Sequence, residues 1–319
     1  RELIHLLEER NPVVEGVRLA DLIHEYEITS LEELFEHVHE ANYLIGHRGG
    51  GRNIDPHNRR GFDLTVESYK DVRGLENPAQ PEVKNEHYQV MIPMVRTPEE
   101  AIQQLLLFRE QGLERGQHGL QLAFMAEVPS LIVWVDDFLY RPVLISHEDA
   151  QAITALLDGD LTDEGRERAL TALRNHLTEF EVEQFLETAR NREALVRRYL
   201  TRNLLLVLMV DELSIGANDL IQFATGVDRN YFDDPEVRFL YTGSDWTILE
   251  LMRHLGIRAS LAHAKCALCG AFASLYGPEA LVEAGVDPIG TQAPALAGNI
   301  RAIARTEHEV AANRVKGAV

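Results

Sequence analysis

The stretch Asp211-Glu-Leu-Ser-Ile-Gly-Ala-Asn-Asp219 decides the fold prediction, because it follows the short apolar run Leu204–Val210. A Leu/Val/Met run of this length that leads into Ser-Ile-Gly is typical of a buried strand that ends in a functional loop. The loop presents the amide of Asn218, the carboxylate of Asp219 and, further on, the guanidinium of Arg229. Carboxylate and amide oxygens suit a hard divalent cation, and a guanidinium suits a phosphate or a carboxylate. The alternative is that the Asn-Asp pair only caps a helix.

Other apolar segments end in the same way. Leu120–Phe124 leads into Met125-Ala-Glu127-Val-Pro129, which puts a carboxylate at a strand end and a proline where a helix can start. Arg48 follows the apolar residues of Tyr43-Leu-Ile-Gly46, and Cys269 closes Cys266-Ala-Leu-Cys269. The reactive groups of a parallel α/β barrel lie at the carboxyl ends of its strands, so this pattern favours such a barrel.

Composition narrows the class of protein. The 319 residues are enough for one large α/β domain, and 45% hydrophobic with 26% charged residues is typical of a globular chain. A net charge of −20 argues against general binding to nucleic acid or to an anionic membrane, so an anionic ligand needs local arginines or a metal. Two cysteines do not form a disulfide framework, and no apolar run reaches the length of a membrane span.

Alternating strand and helix patterns predict βα repeats and a parallel sheet. The predicted strands are Pro12–Arg18, Tyr43–His47, Tyr88–Met94, Leu120–Ala126, Leu204–Leu213, Arg258–Ala264 and Val286–Thr291. Between the fourth and the fifth of them, residues 144–203 show apolar stripes of helical spacing, and Thr178-Glu-Phe-Glu181 is a capping box. We therefore expect a barrel formed by residues 1–143 and 204–319, with a helical insertion at 144–203 that leaves from the amino-terminal side of the strands, away from the site.

Motifs in a fixed order also match one family. They are Gly46-His-Arg48-Gly-x-x-Arg52, Ile92-Pro-Met-Val-Arg96-Thr97, Met125-x-Glu127-x-Pro129-Ser130, Ser214-Ile-Gly-x-Asn218-Asp219-Leu220, Val227-Asp-Arg229 and Cys269-Gly270. On these motifs the chain resembles the phosphoenolpyruvate (PEP)-binding barrel of the PEP-utilising enzymes. The resemblance is closest to the carboxyl-terminal barrel of phosphoenolpyruvate synthase, and weaker to the barrels of pyruvate phosphate dikinase and of Enzyme I of the sugar phosphotransferase system. It covers most of residues 12–143 and 204–319.

The resemblance implies a TIM-type (β/α)8 barrel, and since this chain shows no Arg-x-Glu-Phe motif of the family's first strand, we expect that strand to lie upstream of Arg1. It also implies that Glu127 and Asp219 bind Mg²⁺, with Mn²⁺ as a possible substitute. Substrate-binding roles fall to Asn218 and to three arginines that hold the phosphate and carboxylate of PEP, namely Arg18, Arg48 and Arg229. Arg96-Thr97 also matches a family motif, but Thr97-Pro-Glu-Glu100 is a helix cap, so no catalytic role is predicted there.

Cys269 is the predicted catalytic residue, because the family reaction needs a group that moves the methyl proton of pyruvate and a thiol with a tuned pKa can do so. Two alternatives remain open. Cys269 could be an inert core cysteine, or it could form a redox pair with Cys266. A zinc site would need two further ligands.

The predicted function is the Mg²⁺-dependent half-reaction between pyruvate and PEP in a phosphotransferase of the phosphoenolpyruvate synthase (pyruvate, water dikinase) type. The resemblance implies a cytoplasmic gluconeogenic enzyme, a homodimer, and a phosphohistidine on another domain as the phosphoryl donor, with ATP acting only through domains absent from this chain. The rival hypothesis is a non-catalytic barrel that serves as a dimerisation or regulatory module. Ala271 favours the rival, because the family usually carries Gln or Glu after Cys-Gly.

Overall fold

A computed structural model describes residues 13–14, 17–18, 49–55, 62–67, 69, 88–159, 161–227, 246–269, 277–290 and 296–317. The chain divides into two compact units, which are Arg1–Leu120 and Gln121–Val319. The described part is an α/β structure, as predicted, with a parallel sheet and many helices. A closed eight-stranded barrel, its first strand upstream of Arg1 and the division of the chain into barrel and insertion stay predictions.

The first unit begins with a short antiparallel pair, β1 (Val13–Val14) and β2 (Val17–Arg18). The single strand predicted for Pro12–Arg18 is therefore wrong, and the Glu-Gly dipeptide between the two valine-containing pairs has the two-residue spacing of a hairpin. The strand predicted at Tyr43–His47 lies outside the described residues. The elements that follow are α1 (Gly50–Ile54), a helical segment at 62–67, β3 (Tyr88–Ile92), α2 (Pro98–Glu110) and a 3₁₀ turn (Gln117–Gly119).

The second unit alternates strands and helices. Its strands are β4 (Leu120–Ala126, whose first residue closes the first unit), β5 (Tyr140–Leu144), β6 (Leu204–Leu208), β7 (Glu212–Gly216) and β8 (Lys265–Cys269). Its helices are α3 (Pro129–Val133), α4 (Val135–Leu139), α5 (His147–Asp158), α6 (Asp163–Arg174), α7 (Glu179–Asn191), α8 (Glu193–Leu200), α9 (Ala217–Thr225), α10 (Trp246–Leu261), α11 (Pro278–Glu283) and α12 (Leu296–Gly317).

Strands β4, β7 and β8 lie side by side and run parallel, with β7 in the middle. All five residues of β7 are buried, as expected for a central strand that is covered on both faces. The fourth predicted strand, Leu120–Ala126, is confirmed to the residue, and Pro129 opens α3 as its first residue.

The strand predicted at Leu204–Leu213 is two strands. β6 pairs antiparallel with β5, and the chain then leaves that ribbon before β7 begins. Two backbone bonds hold the crossing: Met209 N–H donates to the Leu139 carbonyl and Asp211 N–H donates to the Leu122 carbonyl, both over 2.8 Å. The Asp211 carboxylate accepts from Leu122 N–H, also over 2.8 Å. The sequence did not show this change of partner, because β7 begins only two positions after the apolar run Leu204–Val210 ends and both strands are buried.

The strand predicted at Arg258–Ala264 is also wrong, because these residues complete helix α10 and its last turn. His263 takes a left-handed conformation with φ of 58° and ends the helix, and β8 begins at Lys265. The alanines in this run are strong helix formers, so local propensity favours the observed structure. The strand predicted at Val286–Thr291 is reduced to two bridges, Cys266 to Asp287 and Leu268 to Ile289.

Helices α5–α8 with β5 and β6 form what we call the helical region, residues 140–208. Its core is apolar, with Ile153, Leu173 and Phe185 almost completely buried. The capping box predicted at Thr178 is present: the Thr178 hydroxyl accepts from Glu181 N–H, and the Glu181 carboxylate accepts from Thr178 N–H. This region joins β7 through Asp211, at the amino end of the parallel strands, which is the side expected from the sequence.

Candidate functional site

The carboxyl ends of β4, β7 and β8 bring the predicted site residues of the second unit together. Ala126 pairs with Ile215, and Gly216 pairs with Cys269. Glu127, one residue beyond Ala126, therefore lies level with Gly216. Neighbouring strands are about 4.8 Å apart, so Glu127 and Cys269 flank Gly216 in one row. We call Glu127, Ser214, Gly216, Asp219 and Cys269 the carboxyl-end site.

Glu127 is buried, with 6% of its surface exposed, and packs directly against Gly216. A Cβ atom on Gly216 would lie 2.7 Å from Glu127 Oε1 and closer still to its Cγ atom. No side chain fits there unless Glu127 moves. The glycine of the Ser-Ile-Gly motif thus leaves the space that the Glu127 carboxylate occupies.

Asp219 and Asn218 lie in the first turn of α9. The residue that caps this helix is Gly216, and it provides no side-chain hydrogen bond. The alternative in which Asn218-Asp219 caps the helix is therefore wrong. Asp219 is buried to 6% exposure in the first turn of α9, at the positive end of the helix dipole. Two buried carboxylates thus follow neighbouring parallel strands: Glu127 comes directly after β4 and packs against Gly216, and Asp219 lies in the helix that follows β7.

Cys269 is half-buried at the end of β8, and its Sγ atom lies 2.9 Å from Ser214 Oγ, a distance at which either group can donate. Ser214 is fully buried on β7. Ser214 begins the Ser-Ile-Gly-x-Asn-Asp motif, but no role was predicted for it. The signal was available: side chains of a strand alternate, so Ser214 and Gly216 share a face, and Gly216 marks that face as the one toward Glu127.

Cys266 stands on the opposite face of β8 from Cys269, since they are three positions apart in a strand whose side chains alternate. Their Cα atoms are about 10 Å apart at 3.3 Å per residue, which is beyond the reach of a disulfide. Burial, followed by the negative charge of Glu212, raises the pKa of the Cys266 thiol to about 12. Cys266 is therefore an unreactive buried thiol, and the redox-pair alternative does not fit this geometry.

The other predicted positions divide into two groups. Thr97 is the N-cap of α2 and accepts from Glu100 N–H over 3.1 Å, while Arg96 N–H donates to the Glu100 carboxylate, so this motif caps a helix as predicted. Arg18 is the last residue of β2, and its side chain lies outside the described part. Arg48 and Arg229 lie outside it altogether.

Within the described ranges, no group of three or more His, Cys, Asp or Glu side chains is arranged to hold a metal ion. Mg²⁺ does not require one, because proteins usually hold it through one or two carboxylates with substrate oxygens and water. In the same part of the chain, no helix combines the length and hydropathy needed to cross a membrane.

Comparisons with known proteins match residues 2–146 and 200–308 to the family described as "PEP-utilising enzyme, PEP-binding domain". Residues 147–199, which comprise most of the helical region, fall outside the match. The chain is 27% identical over 319 residues to phosphoenolpyruvate synthase of Aeropyrum pernix, covering 96% of this chain and 28% of that protein.

Two further relatives carry related names. A probable phosphoenolpyruvate synthase of Staphylothermus marinus is 27% identical over 318 residues, covering 95% of this chain and 27% of that protein. A phosphoenolpyruvate synthase of Pseudomonas aeruginosa is 35% identical over 150 residues, covering 45% of this chain and 18% of that protein. The chain thus spans little more than a quarter of its full-coverage relatives. It belongs to the PEP-utilising enzyme family, as a PEP-binding domain.

Proposed function

We propose that this chain carries the pyruvate/PEP half-reaction of a phosphoenolpyruvate synthase-like phosphotransferase, with Mg²⁺ held by Glu127 and Asp219. The observation that supports the proposal is the pair of buried carboxylates that follow the neighbouring parallel strands β4 and β7. Buried carboxylates are costly without a compensating charge, and a divalent cation is such a charge. When bound, Mg²⁺ supplies a Lewis acid for the enolate oxygen.

Cys269 is the proton-transfer group of this proposal. Its thiolate takes a proton from the pyruvate methyl group, and the electron pair of the broken C–H bond forms the enolate. The enolate oxygen then attacks the phosphorus atom of a phosphohistidine on another domain, so an O–P bond forms, the P–N bond breaks and the histidine is released. In the reverse direction the Cys269 thiol returns the proton. The hydroxyl of Ser214, at 2.9 Å, is placed to donate to the thiolate.

The proposed substrate contacts are Asn218 and the guanidinium groups of Arg18, Arg48 and Arg229. A fixed positive charge in bidentate geometry suits the phosphate and carboxylate of PEP, and it stabilises the charge that spreads over a phosphoryl group during transfer. In a chain of net charge −20, local cations are required to draw an anionic substrate to the site. A homodimer and a cytoplasmic location belong to the same proposal.

Calorimetry with oxalate, a planar mimic of the pyruvate enolate, tests the metal assignment. Oxalate is expected to bind the full chain only in the presence of Mg²⁺ or Mn²⁺. Asp219→Asn is expected to weaken this binding by about a hundredfold or more, since it removes one of two carboxylate ligands.

The matched control is Asp211→Asn. Asp211 lies directly before β7, at the end of the strand opposite to Asp219. The amide oxygen retains the acceptor for Leu122 N–H, so oxalate is expected to bind this variant as it binds the unaltered chain. Equal metal-dependent binding by Asp219→Asn would contradict the assignment. A folded chain that binds no oxalate with either metal would favour the non-catalytic barrel instead.

A further inference from the structure

A cavity lies within the helical region, and the proposed reaction makes no use of it. It encloses about 390 Å³ among helices α5, α6 and α7. Its apolar wall includes Leu156, Leu157, Leu170 and Leu186. These leucines are half-buried and pack on the outside of the apolar core of the region. These four leucines lie on helices, and Gly159 and Leu161 of the α5–α6 connection complete the lining.

Two guanidinium groups stand at the edge of this cavity. Arg166 on α6 and Arg190 on α7 both line it, and both are exposed. Neither side chain forms an ion pair with another residue that the structure describes. Many other arginines of the helical region do: Arg168 pairs with Glu148, Arg174 with Glu179 and Arg192 with Asp136.

The acidic residue of the cavity offsets only part of this charge. Glu193 lines the cavity, but its carboxylate is paired with Arg197 over 2.6 Å. Arg197 also pairs with Asp158 over 2.8 Å, so this group keeps one negative charge beside the two positive charges of Arg166 and Arg190. The cavity consequently combines a leucine wall with two cations available to a ligand, in a chain whose net charge is −20.

We propose that this cavity binds a small amphipathic carboxylate, an aliphatic chain that carries one carboxyl group. The chain would pack on the leucines, and the carboxylate would accept from Arg166 or Arg190, whose planar forks match its geometry. A hydrophilic anion such as phosphate would leave the leucines uncovered, and an uncharged apolar molecule would leave the arginines unused. Volumes of this size are typical of small-molecule sites, which combine apolar walls with a few polar groups.

The test uses the full chain with its leucine methyl groups labelled, titrated with octanoate. A ligand of this size at an open cavity is expected to bind with a Kd on the order of 1 mM. Saturable shifts are expected to concentrate at Leu156, Leu157, Leu170 and Leu186. Octylammonium, which has the same chain and the opposite charge, and acetate, which has the charge without the chain, are each expected to bind at least tenfold more weakly.

Variants distinguish octanoate binding at this cavity from non-specific binding elsewhere on the chain. Arg166→Gln combined with Arg190→Gln is expected to weaken octanoate binding about tenfold or more, because it removes the charge-assisted bonds. Arg198→Gln, at an exposed arginine of α8 that does not line the cavity, is the matched control and is expected to bind octanoate normally. Unchanged thermal unfolding of each variant shows that the helices remain folded.

Three results would overturn the proposal. They are the absence of saturable octanoate shifts, equal binding of octylammonium, and unchanged binding by the folded double variant. Retention by Arg198→Gln together with loss in the double variant supports it. None of these measurements involves Mg²⁺ or oxalate, so the result is independent of the proposed reaction.

Discussion

The carboxyl-end site and the helical region bury different kinds of groups. At the site, Glu127 and Asp219 are exposed by 6% each and Ser214 is fully buried. The helical region instead buries mainly apolar side chains and keeps its charges at the surface, in caps and ion pairs. Buried carboxylates oppose folding unless they are compensated, whereas buried aliphatic and aromatic groups favour it. Substitutions in the helical region should therefore change mainly the free energy of unfolding. Substitutions at the carboxyl-end site should change mainly oxalate binding and proton exchange.

The largest expected effect on stability is in the helical region. Phe185 lies at the centre of its core and is only 1% exposed. Phe185→Ala should lower the free energy of unfolding by about 3–5 kcal/mol, because it removes buried apolar surface and leaves a cavity. The affinity for oxalate with Mg²⁺ should stay within a few-fold of that of the unaltered chain, measured where the variant is still folded.

Glu183→Ala is the matched control for Phe185→Ala, because it removes an exposed side chain from the same helix and should change stability by no more than about 0.5 kcal/mol. Denaturant unfolding and calorimetry give the two quantities. A folded Phe185→Ala chain that no longer binds oxalate would show that the helical region contributes to the site. The helical region would then affect oxalate binding as well as the free energy of unfolding.

The complementary substitution is at Cys269. Cys269→Ala should slow the exchange of pyruvate methyl protons with deuterated water by about a hundredfold, or about 2.7 kcal/mol in activation free energy, because a positioned acid–base group is lost. The exchange is measured with Mg²⁺ and the phosphorylated partner domain. Oxalate affinity should be retained, because Cys269 is not one of the proposed metal ligands.

Cys266→Ala provides the control at the same strand. This thiol is buried on the other face of β8 and its pKa is raised to about 12, so it should not take part in proton exchange at neutral pH. The exchange rate of Cys266→Ala should therefore match that of the unaltered chain. Comparable loss in both variants would contradict the role of Cys269 and favour a structural role for the pair.

The positions of the candidate site residues at strand ends were easier to predict from the sequence than the bounds of the strands around them. Glu127, Asp219 and Cys269 come from motifs at strand ends, and a strand end is marked locally by a change from apolar to polar residues. The strand Leu204–Leu213 was wrong because the apolar run Leu204–Val210 ends just before β7 begins at Glu212, and hydropathy does not show which partner a buried strand chooses. The contact between Ser214 and Cys269 depends on the register of β7 and β8, which the sequence does not contain.

In the helical region, the sequence predicted the secondary structure well but not one of the tertiary contacts. Its helices follow from apolar spacing and local caps, which are encoded within a few residues of each other. What the sequence could not give is the tertiary connection at Asp136. Its two carboxylate oxygens accept from Arg192, at the junction of α7 and α8, and from Arg258 on α10, over 3.2 and 3.0 Å. These partners are separated from Asp136 by 56 and 122 residues.

This connection yields a prediction of intermediate size. Asp136→Asn should lower the free energy of unfolding by about 1–2 kcal/mol, since hydrogen bonds to charged groups are stronger than neutral ones but this carboxylate is partly exposed to solvent. Arg192 would keep its position over the Tyr140 ring, 5.6 Å away, but lose its counter-ion. Asp137→Asn, at an exposed neighbour, should be close to neutral. Equal effects in the two variants would show that Asp136 does not couple the helical region to α10.

The smallest predicted effect is at the cap of α7, and it compares two threonines of the helical region. Thr178 accepts from Glu181 N–H over 3.3 Å as the N-cap, so Thr178→Ala should cost about 1 kcal/mol of unfolding free energy. Thr171 is exposed inside α6, where its hydroxyl donates to the Glu167 carbonyl. There alanine is the better helix former, and Thr171→Ala should be neutral or stabilising by a few tenths of a kcal/mol. Denaturant unfolding measures the free energy of unfolding of both variants. Only Thr178→Ala should lower it, because the backbone N–H groups at a helix end lack the partners that a helix interior provides. Equal losses would mean that the capping box contributes nothing beyond the side chain itself.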